Sequence, residues 1–158
     1  MTIRLAISAD APGIGDIWNA AIRDTTITFN PVEKTDAEIM ATIQSENPFF
    51  VWDAAGRILG FSTYFPFRPG VGYQHTVEHS ILLHPEAQGR GIGRKLLSHV
   101  ADHARAADKH SLIAVVCKEN DAGLAFHEAM GFVRRATLPE VGFKFGRWLD
   151  AVLMQKRL

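Results

Sequence analysis

Apolar positions along the chain recur first at a period of two and then at about 3.6, and the switches between the two periods mark out the elements. Thr2 to Ile7 alternates apolar with polar residues, which predicts a strand with Ile3, Leu5 and Ile7 on one face. Ser8 or Asp10 can cap the helix that follows. There Ile14, Ile17, Trp18, Ala21 and Ile22 fall at helical spacing, and Pro12 is tolerated in the first turn. Thr25 to Pro31, β-branched and ended by proline, predicts an extended run, and Thr35 to Ile43 predicts a short capped helix. Phe49 to Trp52 and Arg57 to Phe65 flank the turn-forming Asp53 to Gly56 and read as an antiparallel hairpin. Pro66 to Gly72 is a loop carrying Arg68.

The second half alternates strands with helices. Tyr73 to Leu83 reads as a strand, and after a glycine-rich corner a helix runs from about Gly91 to Ala107 with Leu96, Leu97, Val100 and Ala104 on one face. Ser111 to Cys117 is a further strand, and Asp121 to Met130 is a helix stopped by Gly131. Phe132 to Thr137 and Arg147 to Met154 are closing strands joined by the polar segment Leu138 to Gly146. A hairpin followed by strands separated by helices predicts an α/β fold: a mixed sheet covered by helices on both faces.

Composition narrows the function classes. The chain has 158 residues, 47% of them hydrophobic, enough for one sizeable core, so residues 1–158 are expected to form a single domain. Lys plus Arg equals Asp plus Glu at 17 each, so no global field draws in nucleic acid or an anionic membrane, and any anion site must be built locally. No run of 18 apolar residues occurs, and Arg4 and Asp10 interrupt the N-terminus, so a cytoplasmic protein is expected. The lone Cys117 closes an apolar run and reads as a packed thiol.

Two features between His75 and Leu97 carry chemistry. In Gln88-Gly89-Arg90-Gly91-Ile92-Gly93 the glycines allow a tight turn that presents bare N–H groups at a helix N-terminus, a corner that favours bound phosphate, with Arg90 and Arg94 adding charge. The spacing lacks the third glycine of a dinucleotide fingerprint, and no Gly-Lys-Ser/Thr triplet makes a nucleotide phosphate loop. Glu78, just before Ile81-Leu82-Leu83, is a half-buried acid and so a candidate base; the bland alternative is a strand carboxylate paired with Arg68 or a histidine. Arg68 suits an oxyanion, its alternative being an ordinary loop arginine. His99 and His103 stand four apart on one helix, a spacing that suits zinc, but the His-Glu-x-x-His pattern is absent, so no metal site is expected.

The chain resembles the GNAT superfamily of N-acetyltransferases, whose acyl-CoA motif is matched by Gln88, Gly91 and Gly93. More narrowly it is similar to the phosphinothricin and methionine sulfoximine acetyltransferase branch. That likeness runs through Asn19, Thr25-Thr26, Pro66-Phe67-Arg68, Thr76 to Ser80, Asn120, His127-Glu128, Gly131-Phe132 and Lys144 to Asp150. The resemblance implies the GNAT fold, with a mixed, mostly antiparallel central sheet, and acetyl-CoA as cosubstrate without a metal. It implies that Ile81, Leu82 and Leu83 splay from the neighbouring strand to pair with the pantetheine arm, and that Gln88, Gly89, Arg90, Gly91, Ile92, Gly93 and Arg94 contact the coenzyme.

It also implies that Arg68, Pro69, Gly70, Glu78, His79 and Ser80 line the site of a small amine, with Thr26, Phe29, Lys144 and Trp148 as weaker wall candidates. Glu78 is then the general base of a direct acetyl transfer to an α-amino group. Many members carry a tyrosine seven residues after the asparagine; here His127 follows Asn120, and both are assigned to coenzyme binding. A homodimer is implied as well. The alternatives are a family member acting on another small amine, or an acyl-CoA binding module without catalysis.

Overall fold

The computed structural model describes residues 1–158. In chain order the elements are β1 (Thr2–Leu5), α1 (Ala11–Asp24), α2 (Asp36–Ile43), β2 (Phe49–Ala54), β3 (Arg57–Pro66) and β4 (Thr76–Leu83). They continue with α3 (Ile92–Ala106), β5 (Ser111–Cys117), α4 (Asp121–Ala129), β6 (Val133–Lys144) and β7 (Arg147–Arg157). The strands make one seven-stranded sheet in the order β1-β2-β3-β4-β5-β7-β6. Only β4 and β5 run parallel; every other neighbouring pair is antiparallel.

Strand alternation assigns the two faces. Along β2, Phe50 and Trp52 enter one core with Leu96, Leu97, Val100 and Ala104 of α3 and Leu124 of α4, whereas Phe49 and Val51 enter a second core with Ile14 and Ile17 of α1 and Ile39 of α2. Helices therefore cover both faces, as the alternation of strands and helices predicted. Along β4 the same rule sends Val77 to the α3–α4 side and Leu82 to the α1–α2 side, so Glu78 and Ser80 face α1 while His79 faces α4. The β2–β3 hairpin turns at Ala55 and Gly56, both at positive φ (58° and 89°), the hand that matches strand twist.

Five local expectations are corrected. The first strand stops at Leu5, and Leu5 and Ile7 are exposed rather than sharing a buried face with Ile3. The Asp10 carboxylate does not cap α1, because Arg4 holds both its oxygens at 2.7 and 2.9 Å and the Ile7 N–H donates to it at 2.8 Å. Thr25 to Pro31 is a series of bends in which Thr25 and Thr28 hydroxyls accept from the backbone two residues on, so local side-chain bonding overrides β propensity. The strand predicted from Tyr73 begins at Thr76. Leu138 to Gly146 is mostly strand: β6 bulges between Leu138 and Gly142, then closes on β7 through Phe145 and Gly146, both at positive φ. Pro139 and the bulge had hidden the alternation.

Gly60 of β3 lies where a Cβ would meet Leu83 Cδ2 at 2.6 Å and both the Leu82 carbonyl oxygen and Leu96 Cδ1 at 3.2 Å. Overpacking at such a contact costs about 1–3 kcal/mol. Gly60→Ala is expected to lower Tm by several degrees in thermal unfolding. An unchanged Tm would show that β4 and α3 yield freely at this point.

Candidate active site

β4 and β5 share only three rungs, Thr76 with Ser111, Val77 with Leu112 and Glu78 with Ile113. Beyond them each strand follows its antiparallel partner, β4 staying on β3 as far as Leu83 and β5 on β7 as far as Cys117. The gap that opens is the floor of a cavity of about 920 Å³, lined by His79 to Leu83 from one strand and Ala114 to Cys117 from the other. Backbone groups on the facing edges have no strand partner there, which suits an amide-bearing ligand lying between them as an added strand would. The splay that the family resemblance implied at Ile81 to Leu83 is present.

At one end of this floor lies the glycine corner. Gly91 takes a left-handed φ of 74° as the N-cap of α3. The N–H groups of Gly89, Gly91, Ile92, Gly93 and Arg94 find no acceptor within the protein, so they and the helix dipole offer a ready site for a diphosphate. Gln88 and Gly93 line the cavity, while Gly89, Arg90, Gly91 and Arg94 are exposed at its rim. Asn120, the N-cap of α4, accepts from the Gly123 N–H at 2.9 Å and lines the opposite wall with His127.

The α1 side of the cavity is a second chamber. Glu78 and Ser80 line it beside Phe65 and Thr63, their cross-strand neighbours in β3, and α1 and the bends at Thr25, Ile27, Thr28 and Phe29 close it. Glu78 makes neither an ion pair nor a hydrogen bond, so the pairing with Arg68 or a histidine that was its bland alternative is not formed. Burial without a neighbouring cation pushes its pKa above the ordinary carboxylate value. A half-buried carboxyl that faces a cavity and gains its proton more easily than usual has the properties of a proton acceptor.

His79 and His127 meet on the other face of β4, Nε2 to Nε2 at 3.0 Å. The Gly123 carbonyl lies 2.7 Å from His127 Nδ1, so that nitrogen carries hydrogen, His127 Nε2 accepts, and His79 donates from its own Nε2. His79 Nδ1 is left buried without a partner. Desolvation keeps both rings neutral, lowering His127 and bringing His79 down to about 3. Both nitrogens of His127 are thus engaged, and neither is free to protonate a leaving group.

Arg68, Pro69 and Gly70 lie on an exposed loop outside the cavity lining, the guanidinium 5.4 Å from the Tyr73 ring centroid. Of the weaker wall candidates Phe29 lines the cavity; Thr26, Lys144 and Trp148 do not. The sequence had overlooked Thr63, Ile27 and Thr28. Thr63 follows from the hairpin register once Ser80 is placed; the other two carry no local signature.

A family model described as the acetyltransferase (GNAT) family matches residues 15–132, and the chain belongs to that family. It is 40% identical to an L-amino acid N-acyltransferase of Escherichia coli, over 100% of this chain and 94% of the relative. It is 38% identical to an L-methionine sulfoximine/L-methionine sulfone acetyltransferase of Salmonella typhimurium, over 100% and 95%. Among solved structures it superposes on a ribosomal-protein-alanine N-acetyltransferase from Brucella melitensis with a TM-score of 0.96 at 36% identity, covering 100% of both chains. It also superposes on a phosphinothricin acetyltransferase from Sinorhizobium meliloti in complex with acetyl-CoA, with a TM-score of 0.93 at 33% identity and coverage of 99% and 88%. The GNAT fold expected from the motif is the fold observed.

The neutral histidine pair sets a pH dependence. Its folded pKa values lie below those of an unfolded imidazole, 6.5, so below that pH the unfolded chain binds more protons and stability falls as pH drops. Tm is expected to decline between pH 6.5 and 5, above the range of the ordinary carboxylates, and the slope is expected to be shallower in His79→Gln; Glu78, its pKa raised, acts in the opposite sense because it stabilises as it gains its proton. A flat wild-type profile in this window would contradict the neutral pair.

Proposed function

We propose that the protein is an acetyl-CoA dependent N-acetyltransferase that acetylates the α-amino group of a small amino-acid analogue, with methionine sulfoximine, methionine sulfone and phosphinothricin as the acceptors to try first. The single observation that carries the reading is the junction of two chambers at the point where β4 leaves β5, with the unpaired Glu78 carboxyl between them. The chemistry asks for a neutral amine, a polarised thioester carbonyl and a thiolate that can leave. Glu78, directly or through water, takes a proton from the ammonium. The amine nitrogen then bonds to the carbonyl carbon while a backbone N–H on the free edge of β4 polarises the oxygen. The C–S bond breaks, the sulfur leaves as thiolate with modest help because a thiol pKa is about 8.5, and the second proton of the attacking nitrogen passes to that thiolate or to water, consistent with His127 being engaged elsewhere.

Supporting the donor half are the unpaired N–H groups of the corner from Gln88 to Arg94, with Ile81, Leu82 and Leu83 beside the pantetheine arm and Asn120 and His127 on the far wall. For the acceptor half, Glu78 and Ser80 line the chamber, and His79 supports the strand from behind. In this reading Arg68, Pro69 and Gly70 act at the chamber only if their loop or a second subunit brings them there. A homodimer is part of the proposal: Val141, Phe143, Phe145 and Trp148, 53–61% exposed, form an apolar outer face on the β6–β7 hairpin. We place the enzyme in the cytoplasm; no helix is long and apolar enough to cross a membrane.

The test is release of coenzyme A thiol with a panel holding the three analogues, unmodified amino acids, polyamines and a peptide beginning with alanine. Turnover confined to peptides or polyamines would remove the small amino-acid reading, and tight acetyl-CoA binding without turnover would favour a binding module. With an active acceptor, kcat/KM is expected to rise with pH as the Glu78 carboxyl, its pKa raised by burial, gives up its proton. Glu78→Gln should lose this limb and about 10²-fold or more in turnover while acetyl-CoA binding stays near normal. Full activity in Glu78→Gln would take this residue out of the mechanism.

A further inference from the structure

The wall of the acceptor chamber opposite Glu78 is built from chain with little main-chain support. From Thr26 to Lys34, between α1 and α2, no backbone group takes part in a backbone–backbone hydrogen bond. Local hydroxyls and two distant side chains hold this stretch. Asn19 of α1 fixes its far end, donating from Nδ2 to the Lys34 carbonyl at 2.9 Å and accepting from the Lys34 N–H at 2.8 Å. The near end is fixed from the other side of the molecule by Lys144, the last residue of β6.

Lys144 is an unusual lysine. It is 3% exposed, and its ammonium donates to the Thr25 carbonyl at 2.6 Å and the Thr28 carbonyl at 2.7 Å. The Phe145 ring lies 5.0 Å from the nitrogen, and no carboxylate forms an ion pair with it. Burying a cation on carbonyl dipoles alone is costly, and that cost is met here by two charge-assisted bonds to a loop that has no backbone–backbone bonds of its own. A second contact lies one strand period back, where Gly142 leaves its Cα face open to the Phe29 ring: a Cβ there would overlap Phe29 Cδ2. Thr25, Thr28 and Phe29 are the residues that close the chamber.

We infer that Lys144 is a positioning residue that clamps the Thr25–Phe29 wall against the β6–β7 hairpin and so sets the width of the acceptor chamber and its selectivity among amines. Lys144 touches neither the acyl donor nor the reacting atoms; it acts through the two carbonyls it holds. The inference rests on the acceptor chamber proposed above. Losing the clamp frees a stretch that has few other bonds, so the affinity for the amine falls while the donor half of the site, built by β4, β5 and the glycine corner, is untouched.

The experiment compares wild type with Lys144→Met, which keeps the stem and removes the donors, and with Lys144→Arg, which restores them. Hydrogen exchange of residues 25–29 is followed alongside steady-state kinetics, with the best acceptor of the panel as the probe. Lys144→Met is expected to raise acceptor KM about tenfold with a smaller change in kcat, to leave the acetyl-CoA Kd within twofold, to accept bulkier amines relatively better, and to exchange faster at 25–29. Lys144→Arg should recover part of each. Should Lys144→Met not accumulate as folded protein, Gly142→Ala decides, because it displaces Phe29 with Lys144 intact and should raise acceptor KM in the same way. Unchanged KM and unchanged exchange in a folded variant overturn the clamp. If the wild type turns over none of the amines, the proposed function fails instead; the exchange of 25–29 still decides the clamp.

Discussion

Everything that distinguishes this molecule from a plain layered sheet depends on the three-rung contact between β4 and β5. Two parallel strands that part after a single turn of pairing leave main-chain donors and acceptors on both edges without partners, an arrangement a folded core ordinarily avoids. It is tolerable because each strand keeps its other edge fully bonded, β4 to β3 and β5 to β7. The unpaired edges line the cavity, an arrangement that suits a ligand with amides of its own. Depth, polarity and placement of the cavity all follow from this parting.

Strand alternation then separates the tasks. At the last shared rung Glu78 points to the α1 side, and the next residue, His79, points to α4. The carboxyl can therefore face the cavity, while one residue away a neutral imidazole pair braces the strand against α4. Neither could do the other's work. His79 has no room to titrate, being desolvated and bonded to His127, whereas Glu78 has no partner to keep it ionised and so holds its proton to a higher pH than an ordinary carboxylate.

How much of this was legible in the sequence depends on how local the cause is. The glycine corner was readable because Gly89, Gly91 and Gly93 and the helix they start are contiguous, and the β2–β3 hairpin was readable because its turn and alternation are too. The parting of β4 and β5 leaves no mark in composition or period, since Ile81-Leu82-Leu83 would look the same in a fully paired strand; only the family resemblance pointed to it. The Thr25–Pro31 stretch was misread as extended because its β-branched residues favour that state, while the bends are held by the Thr25 and Thr28 hydroxyls together with Lys144, 119 residues away from Thr25. Arg68 was singled out for its guanidinium and its motif, yet its loop lies outside the cavity, because an oxyanion-binding side chain carries no information on where its backbone will run.

The β6–β7 hairpin ties the last of these points together. Alternation along its end sends Gly142 and Lys144 inward, against Phe29 and the carbonyls of Thr25 and Thr28, and sends Val141 and Phe143 outward with Phe145 and Trp148 near the tip. One face of a two-stranded ribbon thus packs against the Thr25–Phe29 stretch of the cavity lining while the other presents apolar surface to the exterior. A ribbon at a sheet edge is among the less rigid parts of a fold, so covering its outer face stiffens it, and with it the wall it holds. In the proposed reading, subunit contact and amine selectivity would be coupled through this one strand, because Gly142 and Lys144 lie on the face opposite Val141 and Phe143.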